Sequence, residues 1–454
     1  MKILTGKEGG LRELSRVAYP LILSTASTTV MQFINRVFLA HYSTDALAAC
    51  VPAGILSFTF LCFFMGTATY TNAFVARYHG GGKAASVSVA VWQGVWLALA
   101  SGLLLVLITP LGLYIIDHSG HPEAVRALER PYFSILNYFS CFPVLNTALA
   151  AFFIGRGKTK VPMAVNMAGS ALCVFMSWLL IFGAGPLPEL GIKGAGFAAV
   201  AGQILMTGLY LRLIFSAYNR RRFRTARLVG VHRAMLERLV KYGAPNGIGF
   251  FLDIASFGVF IFIIGGMDKV SLAASNIIAS INMIAFMPII GLGLATLTLV
   301  GKYMGMKKPD VSERVAYNAA KLAGGYALGL GVLFVAVPGM FINIFGSGNS
   351  VEYAQILAKC RPLMSVLTAF IFFDAIGIIF ADALRGAGDT RFQMLGASAC
   401  AWLLFVPGVW YIVYRAGGEL VHAWIWGGFY VFMLAAVFAL RFNSGRWRGI
   451  NILK

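Results

Sequence analysis

The sequence predicts an all-α, polytopic membrane protein of twelve transmembrane helices in two parallel, pseudo-symmetric six-helix lobes. Three observations carry that expectation: the composition, the number of apolar runs long enough to cross a bilayer, and an internal repeat. Of the 454 residues, 59% are hydrophobic and 12% charged, about half the charged share of a soluble domain. A net charge of +20 raises the question of nucleic acid. The cations fall between apolar spans, however, so no nucleic-acid partner is expected, and the basic loops are read as facing anionic lipid.

Taken in order, runs long enough to span about 30 Å of hydrocarbon lie at 17–40, 46–76, 88–116, 131–154, 161–185, 191–217, 239–266, 270–301, 315–345, 362–384, 392–414 and 418–440. With twelve spans placed this way, 29 Lys and Arg fall in the loops of one side and 7 on the other, with Arg36 inside a span. The bias puts both termini in the cytoplasm. Arg36, about twenty residues beyond Arg16, reaches the outer face and is expected to snorkel there. The six cysteines are scattered through apolar runs without a CxxC, which suits small buried residues better than a disulfide frame or metal site. The first apolar run follows a polar start, contains Pro20 and lacks a small-residue cleavage site, so no cleavable signal is expected.

The two halves repeat. Leu11-Arg-Glu-Leu14 with Pro20 matches Leu236-Glu-Arg-Leu239 with Pro245, Leu47-Ala-Ala49 matches Leu272-Ala-Ala274, and Val75-Ala-Arg-Tyr78 matches Val300-Gly-Lys-Tyr303, all displaced by 225 residues. Arg130-Pro131 then matches Arg361-Pro362, and Gly157-Lys-Thr159 matches Gly388-Asp-Thr390, displaced by 231. Each repeat has an even number of spans, so the two enter the membrane from the same side and are parallel. The expected division is a lobe over 1–217, a cytoplasmic basic linker over 218–238 lying on lipid headgroups, and a lobe over 239–454. Pro20 and Pro245 are expected to bend the first helix of each lobe. The 51 glycines suit close helix approach in lipid.

Enzyme chemistry has no visible home. Gly80-Gly-Gly-Lys-Ala-Ala-Ser86 lacks the order of a nucleotide-binding P-loop and follows no strand, so it is read as a turn. No histidine belongs to an HExxH set, and no cofactor is implied.

Two aspartates stand out inside apolar spans. Asp253 lies in the run 247–265, and Asp374 is flanked by Phe372, Phe373, Ile376 and Ile378. Lys241 precedes Asp253 by 12 residues and Arg385 follows Asp374 by 11. Both carboxylates are therefore roughly 16–18 Å deep from the same side. A carboxylate at such depth costs about 2.5–3.5 kcal/mol on insertion scales and is by default functional. The repeat equivalents are Thr28 and Pro143, so the amino-terminal half has no matching acid. That asymmetry favours a functional site in the carboxy-terminal half, with Asn276 and Asn282 as candidate supporting polar groups. The competing reading is one protonated aspartate hydrogen-bonded to such a neighbour. Asp382, three residues before Arg385, is expected to form a surface ion pair.

The twelve spans, the parallel halves, a proline in the first helix of each, and Leu384-Arg-Gly-Ala-Gly-Asp-Thr-Arg391 closing the tenth helix resemble the multidrug and toxic compound extrusion (MATE) transporters of the MOP flippase superfamily. Leu190-Gly-Ile-Lys-Gly-Ala-Gly196, Met287-Pro288 and Val300-Gly301 also resemble that family's pattern, over nearly the whole chain. The resemblance implies a bacterial NorM-like or DinF-like antiporter of the inner membrane, a monomer that exports an organic, cationic or amphipathic compound while Na⁺ or H⁺ enters. Its lobes would rock around a central cleft. In NorM-like members an acid eight residues after the proline of the seventh helix helps bind the coupling cation, and Asp253 holds that position. The acid ten residues before LRG corresponds to Asp374, which makes Asp253 and Asp374 the candidate Na⁺ or proton site. Two family positions depart, since acids usual in the first and fifth helices are Asn35 and Ser177 here. That departure argues against a DinF-like proton relay in the amino-terminal half. The alternatives are a lipid-linked saccharide flippase of the same superfamily, disfavoured by the lack of deep Lys or Arg, and a channel or non-transporting membrane protein.

Overall fold

The computed structural model describes residues 8–183, 188–226, 230–343 and 351–453, the side chains of 351–353 excepted. Lys2, Lys7, Arg227 and Lys454, counted above in the basic loops, lie outside the described residues, as do positions 184, 185, 344 and 345 of two expected spans. Among the described residues, twelve helices are long and apolar enough to cross a membrane: Leu11–Tyr42, Thr44–Gly80, Ala84–Asp117, Glu123–Ile154, Lys160–Ile181, Ile192–Ile214, Arg233–Gly265, Lys269–Gly305, Pro309–Ala336, Ala354–Ala387, Thr390–Tyr414 and Leu420–Asn443. This is the expected all-α, twelve-span class.

Most helices run beyond their apolar stretch, because backbone hydrogen bonding continues until a cap or left-handed residue ends it. The fourth helix starts at Glu123, so Pro131 stands inside it, and Pro362 likewise stands inside Val351–Ala387. The amphipathic start of the fourth helix is laced by ion pairs of Arg126 with Glu123 and Arg130 with Asp117. The eighth helix is capped by Asp268, whose carboxylate accepts from Ser271 N (2.7 Å) and Oγ (2.6 Å). Those bonds and Lys359 at 3.0 Å hold Asp268 at about 2. Three spans are interrupted. The second turns at Tyr70 between Thr44–Thr69 and Thr71–Gly80, the fourth breaks between Tyr138 and Cys141, and the eleventh contains a π-helical stretch, Cys400–Phe405, before Pro407.

The repeat is visible in the backbone. Gly82 and Lys307, 225 residues apart, both have positive φ (+71° and +58°), and each is followed by the same bond, Lys83 N to Tyr78 O and Lys308 N to Tyr303 O, at 2.9 Å. Gly157 and Gly388, 231 apart, likewise have φ of +73° and +103°. Lys158 N donates to Phe153 O and Asp389 N to Leu384 O, again at 2.9 Å. Gly82 belongs to the Gly80–Ser86 stretch, whose residues 81–83 form the turn between two helices.

The contacts divide the chain into two compact units. One comprises Met1–Ile22, Ile248–Met304 and Lys308–Asn451; the other comprises Leu23–Gly247, Gly305–Lys307 and Ile452–Lys454. The unit boundaries fall inside the first and seventh helices, two residues beyond Pro20 and two beyond Pro245. Each proline removes a backbone donor within an otherwise continuous helix.

In the unit containing the carboxy-terminal spans, Glu13 joins Lys302 (2.8 Å), Tyr303 (2.6 Å) and Gly9 N (2.9 Å), while Phe442 stacks on Trp447 at 4.7 Å. In the other unit the fifth and sixth helices meet backbone to backbone through Gly169, Gly194 and Gly202, the small-residue packing suited to lipid. The linker is docked onto this unit. Asn219 donates to Leu213 O, Thr225 to Ile214 O, and Gln93 binds both Gly230 O and His232 N.

Candidate functional site

The seventh and tenth helices bring Asp253 and Asp374 within reach of each other's field. Both also act on the phenol of Tyr430 in the twelfth helix, and the charge of Arg385 reaches Asp253. Asp253 is exposed and Asp374 half-buried. Neither carboxylate is fully buried. Among the described residues neither carboxylate has a hydrogen-bond or ion-pair partner; only the backbone oxygen of Asp253 is engaged, by Ser256 Oγ at 2.8 Å.

Aromatic packing supports the pair. Phe373, beside Asp374, meets Phe432 edge-on at 5.0 Å. Tyr430, itself buried, stacks on Phe405 of the π-helical stretch at 4.7 Å, and Phe405 lies 5.4 Å from Phe260 of the seventh helix. Trp402 Nε1 donates to Leu252 O, one residue before Asp253 (3.3 Å). π-helical turns recur at functional sites because they re-aim side chains within a helix. Among the described residues no three His, Cys, Asp or Glu converge on a metal position.

Asn276 is exposed and Asn282 half-buried on the eighth helix, and no hydrogen bond runs from either amide to either aspartate. Asn282 Oδ1 is buried without a partner. Asp382 pairs with Arg385 at 3.0 Å as its spacing predicts, but the pair is not on the surface. Asp382 is buried, and Gly293 of the eighth helix leaves the room that its carboxylate fills. Asp389 of the same LRGAGDT stretch is also buried and binds Arg441 Nε at 2.8 Å.

In the other unit, the two positions that depart from the family pattern converge on one thiol. Asn35 Nδ2 donates to Cys173 Sγ at 3.4 Å, and Ser177 is buried beside the same thiol. A short neutral network lies deeper, with Asn166 donating to Ser24 Oγ (2.7 Å) and Tyr210 donating to Asn166 Oδ1 (3.0 Å). Thr28 donates to Ser24 O. Tyr430 and the π-helical turn escaped the sequence reading; the one available signal was Pro407 just past the turn, together with a phenol in the apolar stretch Trp426–Phe432.

The twelve-span helical fold with its internal repeat defines a polytopic membrane protein, and the family it matches is one of transporters, not enzymes. Residues 20–179 and 245–411 each match the MatE family model, and the two matches begin 225 residues apart, as the repeat does. The chain belongs to the MatE family. Among curated relatives, the "Probable multidrug resistance protein NorM" of Thermotoga maritima is 25% identical over 97% of this chain and 94% of its own length. The protein of that name from Pseudomonas aeruginosa is 28% identical over 92% of this chain and 86% of its own. Among solved structures, a MOP superfamily transporter from Pyrococcus furiosus superposes with a TM-score of 0.87 at 17% identity, covering 99% of this chain and 98% of the other. A multidrug resistance MATE family transporter in an outward-facing conformation gives 0.86 at 16%, covering 100% and 98%. At these identities the structures establish the fold alone.

Proposed function

We propose that this protein is a secondary antiporter of the inner membrane, with both termini in the cytoplasm, that exports organic cationic or amphipathic compounds by alternating access in exchange for Na⁺ or H⁺. The observation that carries this reading is the pair of carboxylates, Asp253 and Asp374, inside apolar spans of one unit and without a hydrogen-bond or ion-pair partner among the described residues, where two negative charges would repel one another. A proton or Na⁺ relieves that repulsion, so the loaded and empty pair favour different packings of the seventh and tenth helices. The multidrug names of the relatives agree with this reading.

Two outcomes are expected. Single cysteines placed in the 218–226 linker segment will react with a membrane-impermeant maleimide only after the cells are opened, since 29 of 37 cations lie on that side; labelling in intact cells contradicts the orientation. Cells producing the protein will accumulate less of an ethidium-like lipophilic cation, and dissipating the ion gradients will restore accumulation. Protection against anionic compounds only would show that the selectivity is of the opposite sign.

A further inference from the structure

The turn Gly155–Lys158 and the linker helix Ala217–Phe223 enclose a cationic site with no protein anion. Arg156 is buried, 8% exposed, with its guanidinium 3.7 Å from the Phe152 ring centroid, 4.5 Å from Phe223 and 5.3 Å from Phe153. Its Nε donates to Phe152 O (2.7 Å) and Nη1 to Asn219 Oδ1 (3.1 Å), while Nη2 is buried with no partner. Two further cations share the site. Lys158 Nζ lies 5.0 Å from the Tyr218 ring, and Arg222 donates to Tyr218 Oη at 2.7 Å while lying 5.9 Å from the Phe223 ring. Among the described residues no carboxylate pairs with any of the three.

The repeat supplies an internal contrast. The equivalent turn of the carboxy-terminal half carries Asp389 where this one carries Lys158, and Asp389 is neutralised by Arg441, whose guanidinium lies over Phe392 at 4.5 Å. One half thus closes its turn with an internal ion pair, whereas the other gathers three cations around an unused donor. Burial and the neighbouring Arg222 lower Arg156 to about 10, which leaves it charged at neutral pH. A buried, unpaired cation is costly, and a phosphate oxygen is the acceptor that best matches a guanidinium. Gly157 beside it has open space where a side chain would stand.

We propose that Arg156, Lys158 and Arg222 bind the phosphate of an anionic phospholipid headgroup, which completes the docking of the linker helix on its unit. The cytoplasmic leaflet as the source rests on the orientation proposed above; the binding chemistry does not.

The test is native mass spectrometry of the full chain in nonionic detergent, titrated with phosphatidylglycerol, with phosphatidylcholine and with inorganic phosphate. One phosphatidylglycerol is expected to bind in preference to phosphatidylcholine. The exposed pair Lys158→Gln, Arg222→Gln, chosen because Arg156→Gln risks undocking the linker, weakens that binding roughly thirtyfold, about one decade or less per cation. Arg220→Gln with Arg221→Gln, on the same helix but outside the cluster, retains it. Equal binding of both lipids, equal loss in the two double variants, or competition by millimolar inorganic phosphate overturns the assignment. None of these readouts depends on transport, so a failure here is separable from a failure of the antiport reading.

Discussion

Asp374→Asn is expected to abolish gradient-driven efflux while membrane insertion and binding of substrate to the purified protein persist. The amide keeps the shape of the carboxylate but can neither take up a proton nor offer charge to Na⁺, so gradient energy has no means of biasing one packing of the tenth helix over another. Because Asp374 has no hydrogen-bond or salt-bridge partner among the described residues, the substitution breaks no ion pair and is expected to leave the unfolding midpoint close to that of the parent. Asp253→Asn weakens or abolishes coupling by the same reasoning. Thr28→Ala, at the amino-terminal equivalent of Asp253, removes only a bond to Ser24 O and leaves coupled transport close to the parent. Transport into vesicles under imposed pH or Na⁺ gradients, alongside substrate binding in detergent, checks all three.

Gly386→Val lowers the unfolding midpoint more than any aspartate substitution. A Cβ at Gly386 would stand 2.5 Å from Leu297 O and 3.1 Å from Leu297 Cα. Both are backbone atoms of the eighth helix and cannot rotate away. Forcing the eighth and tenth helices apart costs about 1–3 kcal/mol or more and also disturbs Asp382–Arg385 on the neighbouring turn. Gly325→Ala in the ninth helix, where a Cβ meets nothing within 4 Å, is the matched control and is expected to be neutral or slightly stabilising through helix propensity. Differential scanning fluorimetry in detergent separates the two.

The Gly386 contact illustrates what was legible in the sequence and what was not. LRGAGDT was recognisable as a pattern, but much of its physical content lies in partners distant along the chain: Gly386 against Leu297, Asp389 against Arg441, and Gly293 making room for Asp382, whose pairing with Arg385 was the local part. Apolar run length was enough to find twelve spans, because a bilayer admits little else. The ends of those helices were less legible, since backbone hydrogen bonding continues past the apolar run; Glu123–Tyr138 begins eight residues before Pro131. The helix register placed Asp253 and Asp374 at one depth, as arithmetic along two helices can. It could not place Tyr430 or the π-helical turn beside them, because those depend on which faces of the eleventh and twelfth helices pack inward. The compact units change inside the first and seventh helices, next to Pro20 and Pro245, the two prolines that the repeat relates to one another.

Proteoliposomes containing the Asp253→Asn, Asp374→Asn double variant, loaded with a lipophilic cation and subjected to an imposed H⁺ or Na⁺ gradient, test the central claim most directly. The parent protein is expected to move substrate against its concentration gradient under at least one of the two ion gradients, and the double variant under neither, although it still binds the compound. Full uphill transport by the double variant would show that these acids are structural and that ion coupling lies elsewhere in the chain.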